Sequence, residues 1–154
     1  VAEYAVELVV QGQLHDAWPK LKRGLCDIIR KTPQVRWIPE DVYAALLNNT
    51  AFAFLVWQLP ERHYMGFFIV HTQNAGFSDK LELFCWAAWT IPPRERQEGD
   101  DVAGSIKCSI EHMMKMAREG GHVAVTFLTA RKGMKRHGLP YFSEAFTAYR
   151  INTQ

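Results

Sequence analysis

Apolar and polar positions along this chain recur with two different periods, and each change of period marks a boundary between elements. Tyr4–Val10 is short and rich in Val and ends at the turn signal Gln11-Gly12-Gln13, which predicts a first strand. From Leu14 onward Leu14, Trp18, Leu21, Leu25 and Ile28 return at helical spacing, while Lys20, Lys22, Arg23 and Asp27 fall mostly on the other face. Pro19 suits the first turn of such a helix, which predicts a start near Asp16 or Ala17 as cap. Thr32-Pro33 ends it. Pro39-Glu40-Asp41 opens a second, shorter helix, with Pro in the first turn and acids favoured by the helix dipole. Val42, Leu46 and Leu47 are expected to face inward, and Asn48-Asn49 to stop it.

Three strands are predicted next, Ala51–Gln58, Met65–Thr72 and Leu81–Thr90. The short connections between them imply an antiparallel meander. Ala51–Trp57 and Gly66–Val70 are nearly continuous apolar runs, the pattern of strands covered on both faces. After the polar stretch Pro92–Gly99, the spacing of Val102, Ile106, Ile110, Met113 and Ala117 gives a third helix, beginning at Asp100 or Asp101 and ended by Gly120-Gly121. His122–Thr129 reads as a fifth strand, returning parallel to the strand that ends at Thr90. Arg131–His137 reads as a short basic helix closed by Gly138, and Phe142–Ile151 as a last strand.

Bulk properties narrow the classes. The 154 residues suit one domain, and a chain of this length buries about 68–70% of the surface its unfolded form exposes. With 48% hydrophobic and 22% charged residues it has the composition of a folded globular protein. A net charge of +2 with scattered Lys and Arg does not point to nucleic acid, whose binding needs several cations on one face. Cys26, Cys85 and Cys108 are odd in number and widely spaced, which fits a reducing compartment. The first ten residues carry Glu3 and Glu7 and no basic region, so neither a signal peptide nor a membrane anchor is expected there. A cytoplasmic location, without a membrane partner, follows as the expectation.

The predicted order β-α-α-β-β-β-α-β-α-β makes an α/β (α+β) mixed sheet covered by helices on both faces. That order, with His122–Leu128, the basic helix, Gly138-Leu139 and the aromatic Phe142–Tyr149 segment in sequence, resembles the GNAT N-acetyltransferase superfamily over nearly the whole chain. Within it the style is similar to divergent members encoded by tailed bacteriophages. The resemblance implies acetyl-CoA between the fourth and fifth strands, its pyrophosphate on the tip of the third helix, in a loop of pattern Gln/Arg-x-x-Gly-x-Gly/Ala. Free backbone N–H groups and the positive end of the helix dipole bind the anion, and glycines admit it closely.

Here that stretch runs Arg94–Ser105, and the resemblance assigns cofactor contacts to Arg94, Arg96, Gly99, Ala103, Gly104 and Ser105. Arg96-Gln97-Glu98-Gly99 supplies the first half of the pattern, but Asp101 stands at the second glycine. Asp100 and Asp101 are good helix caps. A phosphate about 4 Å from one carboxylate is repelled by roughly 4 kcal/mol at an effective dielectric of about 20. The family's acid, a Tyr four residues before the glycine of the Gly-Phe pair, is replaced by Met134, its Asn on the fifth strand by Phe127, and the Phe by Leu139. A thioether cannot donate a proton. The general base falls to Glu82, a carboxylate among apolar neighbours.

Other chemistry has a plainer explanation. Cys108 and His112, four apart on the third helix, have no second ligand pair and read as a solvated helix face rather than a metal site. His71 reads as a hydrogen-bonded structural histidine, and Cys85, between Phe84 and Trp86, as a buried inert thiol. Trp37, Trp57, Trp86, Trp89 and Phe77 either form an association surface or fill the gap a cofactor would occupy. The basic Arg131–Arg136 segment reads as an exposed charged face. Two functions stay open. One is a non-catalytic interaction or assembly component, in a virion or infected host cytoplasm, binding a protein partner or a second copy through exposed aromatics. The other is an N-acetyltransferase that uses acetyl-CoA on an amine.

Overall fold

The computed structural model describes residues 2–33, 35–76, 78–127 and 151. Among the described residues five strands form one sheet in the order β1 (Glu3–Leu8), β2 (Phe52–Leu59), β3 (His63–Asn74), β4 (Leu81–Thr90) and β5 (Val125–Phe127). β1 to β4 are antiparallel neighbours, and β5 lies parallel to β4 through Leu83↔Val125 and Cys85↔Phe127. The helices among the described residues are α1 (Leu14–Lys31), α2 (Pro39–Leu47) and α3 (Val102–Glu119). The expected basic helix, the last strand, Met134, Leu139 and Phe77 lie outside the described residues.

Alternation along β3 sends Phe67 and Phe68 to opposite faces of the sheet. α1 covers the Phe67 side: a methyl built on Gly24 would lie 2.2 Å from the Phe67 ring and 2.9 Å from Trp89. α3 covers the Phe68 side, its His112 ring 5.4 Å from Phe54 and 6.1 Å from Phe68. With a layer on each side, Phe68, Leu21, Leu25, Met65, Ile69 and Met113 are fully buried, each worth about 1.5–3 kcal/mol of transfer free energy.

Several expectations need correction. α1 begins at Leu14, after a 3-10 turn over Gln11–Gln13, so Pro19 sits inside the helix instead of opening it. Burial of Leu14 at 3% exposure favours the earlier start, and Pro19 and His15 are both exposed, leaving water to satisfy the carbonyl that the imide nitrogen cannot. Leu47, expected inside, is 47% exposed at the end of α2, where Val42 and Leu46 fill the inward face. The Cys108/His112 face is half-buried rather than solvated, because the stacked rings of Phe54 and Phe68 lie beneath His112.

Two bulges have no counterpart in the sequence pattern. Val56 pairs with Gly66 and Trp57 with Tyr64, which leaves Met65 over on β3. Ile69 pairs with Ala87 and Val70 with Cys85, which leaves Trp86 over on β4. The second bulge re-aims the half of β4 that follows it. Gly66 lies opposite, at φ 151°, where a side-chain carbon would meet the Trp89 carbonyl oxygen at 2.0 Å. Only glycine fits there.

Candidate functional site

Asp101 is the N-cap of α3, and both oxygens of its exposed carboxylate are committed to hydrogen bonds within the protein. One oxygen accepts the Gly104 N–H at 3.0 Å, and the other accepts the Tyr4 hydroxyl, from β1, at 2.8 Å. A methyl on Gly104 would sit 2.2 Å from both that second oxygen and the Tyr4 hydroxyl, so the space a glycine opens here is filled by the carboxylate. The Gly104 N–H and then the Tyr4 hydroxyl hold Asp101 below the ordinary carboxylate value. Desolvation first, then the bond to Asp101, pushes the Tyr4 phenol up.

The loop leading into α3 is tied down along its length. Gln58 on β2 accepts the Asp101 N–H at 2.8 Å and donates to the Gly99 carbonyl at 2.9 Å. Asp100 accepts the Gln97 N–H at 2.7 Å and meets His63 Nδ1 on β3 at 2.9 Å. Partial desolvation works to raise Asp100, but those partners outweigh it and the carboxyl lies below its usual value. The tip of α3 therefore presents two ionised carboxylates whose hydrogen bonds reach β1 and β3. The residues as arranged do not fit a diphosphate: the Gly104 N–H is taken by Asp101, and the charge of that carboxylate repels an anion.

The residues expected to contact a cofactor are spread over three environments. Gly104 and Ser105 are at the tip, but Ser105 is 2% exposed and its hydroxyl donates back to the Val102 carbonyl at 2.7 Å. Ala103 is exposed on the first turn, and Gly99, at φ 90°, forms the bend before it. Arg96 donates to the Ile91 carbonyl at 3.3 Å. Arg94 lies elsewhere, in a cavity against α1. Glu82 sits at the start of β4, where its carboxylate accepts the Gln73 amide at 2.6 Å. It is four residues, about 13 Å of strand, before the Trp86 bulge.

Trp86 and Trp89 are packed on the side of the sheet that α1 covers. Trp86 meets Trp37 at 6.0 Å and His71 at 5.8 Å, and Trp89 stacks on Phe67 at 6.0 Å with its indole N–H donated to Asp27 at 3.0 Å. Ala88, between them on the opposite side, is exposed. Cys85 is 5% exposed and burial pushes its thiol up to about 12, as expected of an inert core cysteine. His71, expected to be structural, packs its ring on Phe84 at 5.0 Å. Sequence reading missed Tyr4 and Gln58, whose only signal was polarity at the ends of otherwise apolar strands, and His63, which it left in the connection before β3.

No helix among the described residues is long and apolar enough to cross a membrane. No family model matches the chain, and no curated protein sequence matches it. Solved structures do. A probable acetyltransferase superposes with a TM-score of 0.69 at 13% identity, covering 97% of this chain and 98% of its own. The aminoglycoside acetyltransferase meta-AAC0020 from an uncultured soil metagenomic sample, bound to sisomicin, gives 0.67 at 15% identity, with 98% and 97% covered. A predicted acetyltransferase with acetyl-CoA from Clostridium acetobutylicum gives 0.64 at 11%, with 97% and 96% covered. The fold is that of the GNAT acetyltransferases, as the order of elements implied.

Proposed function

We propose that this chain uses the acetyltransferase fold for binding rather than for acetyl transfer, its diphosphate site being closed by its own carboxylate. The observation that carries this reading is Asp101, held by Gly104 and Tyr4 where the anion would enter. A ligand seated there must break both bonds and displace a negative charge, and the loop that would have to move is fastened to β2 and β3. As an interaction component the protein would meet a partner or a second copy. Phe52, 44% exposed, offers an aromatic for that contact, and Leu8 and Val10 lie on the neighbouring strand end. The narrower role, in a phage particle, is tested by probing purified particles for the chain.

Acetyl transfer to an amine is the second reading, and the exposed Ala88 beyond the Trp86 bulge favours it, because small residues leave room beside β4. In that case Glu82 would be the base, and E82Q would abolish turnover. One experiment separates the readings. The Gly104 amide resonance is followed while acetyl-CoA is added to millimolar levels, and free thiol is measured with a panel of amines. An unmoved Gly104 amide and no thiol release are expected. Turnover, or a Gly104 amide displaced by the coenzyme, would overturn the binding role.

A further inference from the structure

Away from the tip of α3, the second half of α1 and the segment after β4 enclose an open cavity of about 270 Å³ lined by Arg23, Cys26, Asp27, Arg30, Trp89, Pro92 and Arg94. Helical spacing places Arg23, Asp27 and Arg30 on one face of α1, and the turn Pro93–Glu95 brings Arg94 across from them. The local charges do not cancel. Asp27 serves Arg30 and Lys31, and Glu95 serves Arg23, so among the described residues four cations meet two carboxylates and two positive charges are left over. Arg94 makes no hydrogen bond or ion pair with a described residue and senses Glu95 only at longer range.

We infer that this cavity binds the dianionic phosphate group of a small ligand, with Arg94, Arg30 and Arg23 as its donors. Guanidinium forks match phosphate oxygens in pairs, and a charge of −2 offsets the surplus present. The existing pairs do not stand in the way: the side chains of Arg23 and Arg30 are 50% and 71% exposed, and ion pairs in water contribute little. Trp89 forms an apolar wall, its indole fixed by Asp27 on one side and the Arg23 guanidinium 5.4 Å over its ring. The volume is just below the range of small-molecule sites, about 300–1,000 Å³, which suits a phosphate with a small organic group.

Cys26, exposed in the wall of the cavity, provides a reporter that does not depend on activity. The full chain is treated with iodoacetamide, and labelling of each cysteine is read by peptide mass, at constant ionic strength. The probes are inorganic phosphate, phenyl phosphate and chloride. Millimolar phosphate is expected to slow labelling of Cys26 several-fold and to leave Cys108, on α3, unchanged. R94Q removes an exposed side chain with no direct partner among the described residues, so it should melt like the parent while the phosphate needed for protection rises about tenfold. Phenyl phosphate protecting at lower concentration than inorganic phosphate identifies an ester as the ligand, and equal potency identifies free phosphate. Equal protection by chloride, no protection by phosphate, or full protection retained in R94Q would each overturn the assignment.

Discussion

Replacing Asp101 by Asn separates the two things this side chain does, capping a helix and repelling an anion. Asn caps about as well as Asp, so the Gly104 N–H, now 3.0 Å from the carboxylate, keeps a partner. What changes is charge. One unit charge about 4 Å from a phosphate is worth roughly 4 kcal/mol at an effective dielectric of about 20. The site is exposed, and salt screening reduces that to about 1.5–3 kcal/mol, or about ten- to a hundredfold in affinity. The Tyr4 hydroxyl meanwhile faces an amide NH2 where the second carboxylate oxygen was, so its proton turns to the Asp101 backbone carbonyl at 3.1 Å and a charged acceptor is lost, at a cost of about 1 kcal/mol. D101N should therefore melt about 2–4 °C below the parent. Titration with inorganic pyrophosphate should move its Gly104 and Ser105 amide resonances at concentrations that leave the parent's unchanged. D101A, which also loses the cap, should melt lower still, by about another 1 kcal/mol. The reasoning fails if parent and D101N respond to pyrophosphate alike, because the carboxylate would then not be what closes the tip.

Three further outcomes follow from the structure. G24A should destabilise the fold despite the better helix propensity of alanine: its methyl meets Phe67 and Trp89 inside 3 Å, an overpacking cost of about 1–3 kcal/mol against a gain of about 1, read as a lowered urea midpoint. Asp27, Asp100 and Asp101 are all held below their ordinary value of 3.8. Their contribution to stability is thus present above about pH 4 and lost as pH falls through the folded values. Urea melts at neutral pH and below pH 4 should show that loss, and D101N should lose less; equal slopes would contradict it. In the native protein Cys85 should be the last thiol alkylated, because burial both blocks access and pushes its titration up to about 12.

Much of the fold was legible in the amino-acid order because it depends on short-range rules. Leu81–Thr90 is read residue for residue, α2 opens at Pro39 and stops at Asn48, and α3 is capped by Asp101 and ended at Gly120. Caps, prolines and apolar periods act within a few residues, so the sequence carries them directly. The errors came where a distant contact outweighed a local preference. Burial of Leu14 draws the start of α1 back past Pro19, and the rings of Phe54 and Phe68 turn the His112 face inward.

The site followed the same division. That an acid stands where a glycine is expected can be seen in the order of residues alone, and so can the electrostatic conflict it creates. Where its carboxylate points cannot, because Tyr4 is 97 residues away and Gln58 meets Asp101 across 43. The two bulges and the convergence of Arg23, Arg30 and Arg94 on one cavity arise only when the sheet pairs and α1 settles on it. Local chemistry determined the elements and the charges on the helix tip. Long-range packing alone decided whether those charges face solvent, a ligand or the protein itself, since side-chain direction depends on partners that chain order does not place side by side.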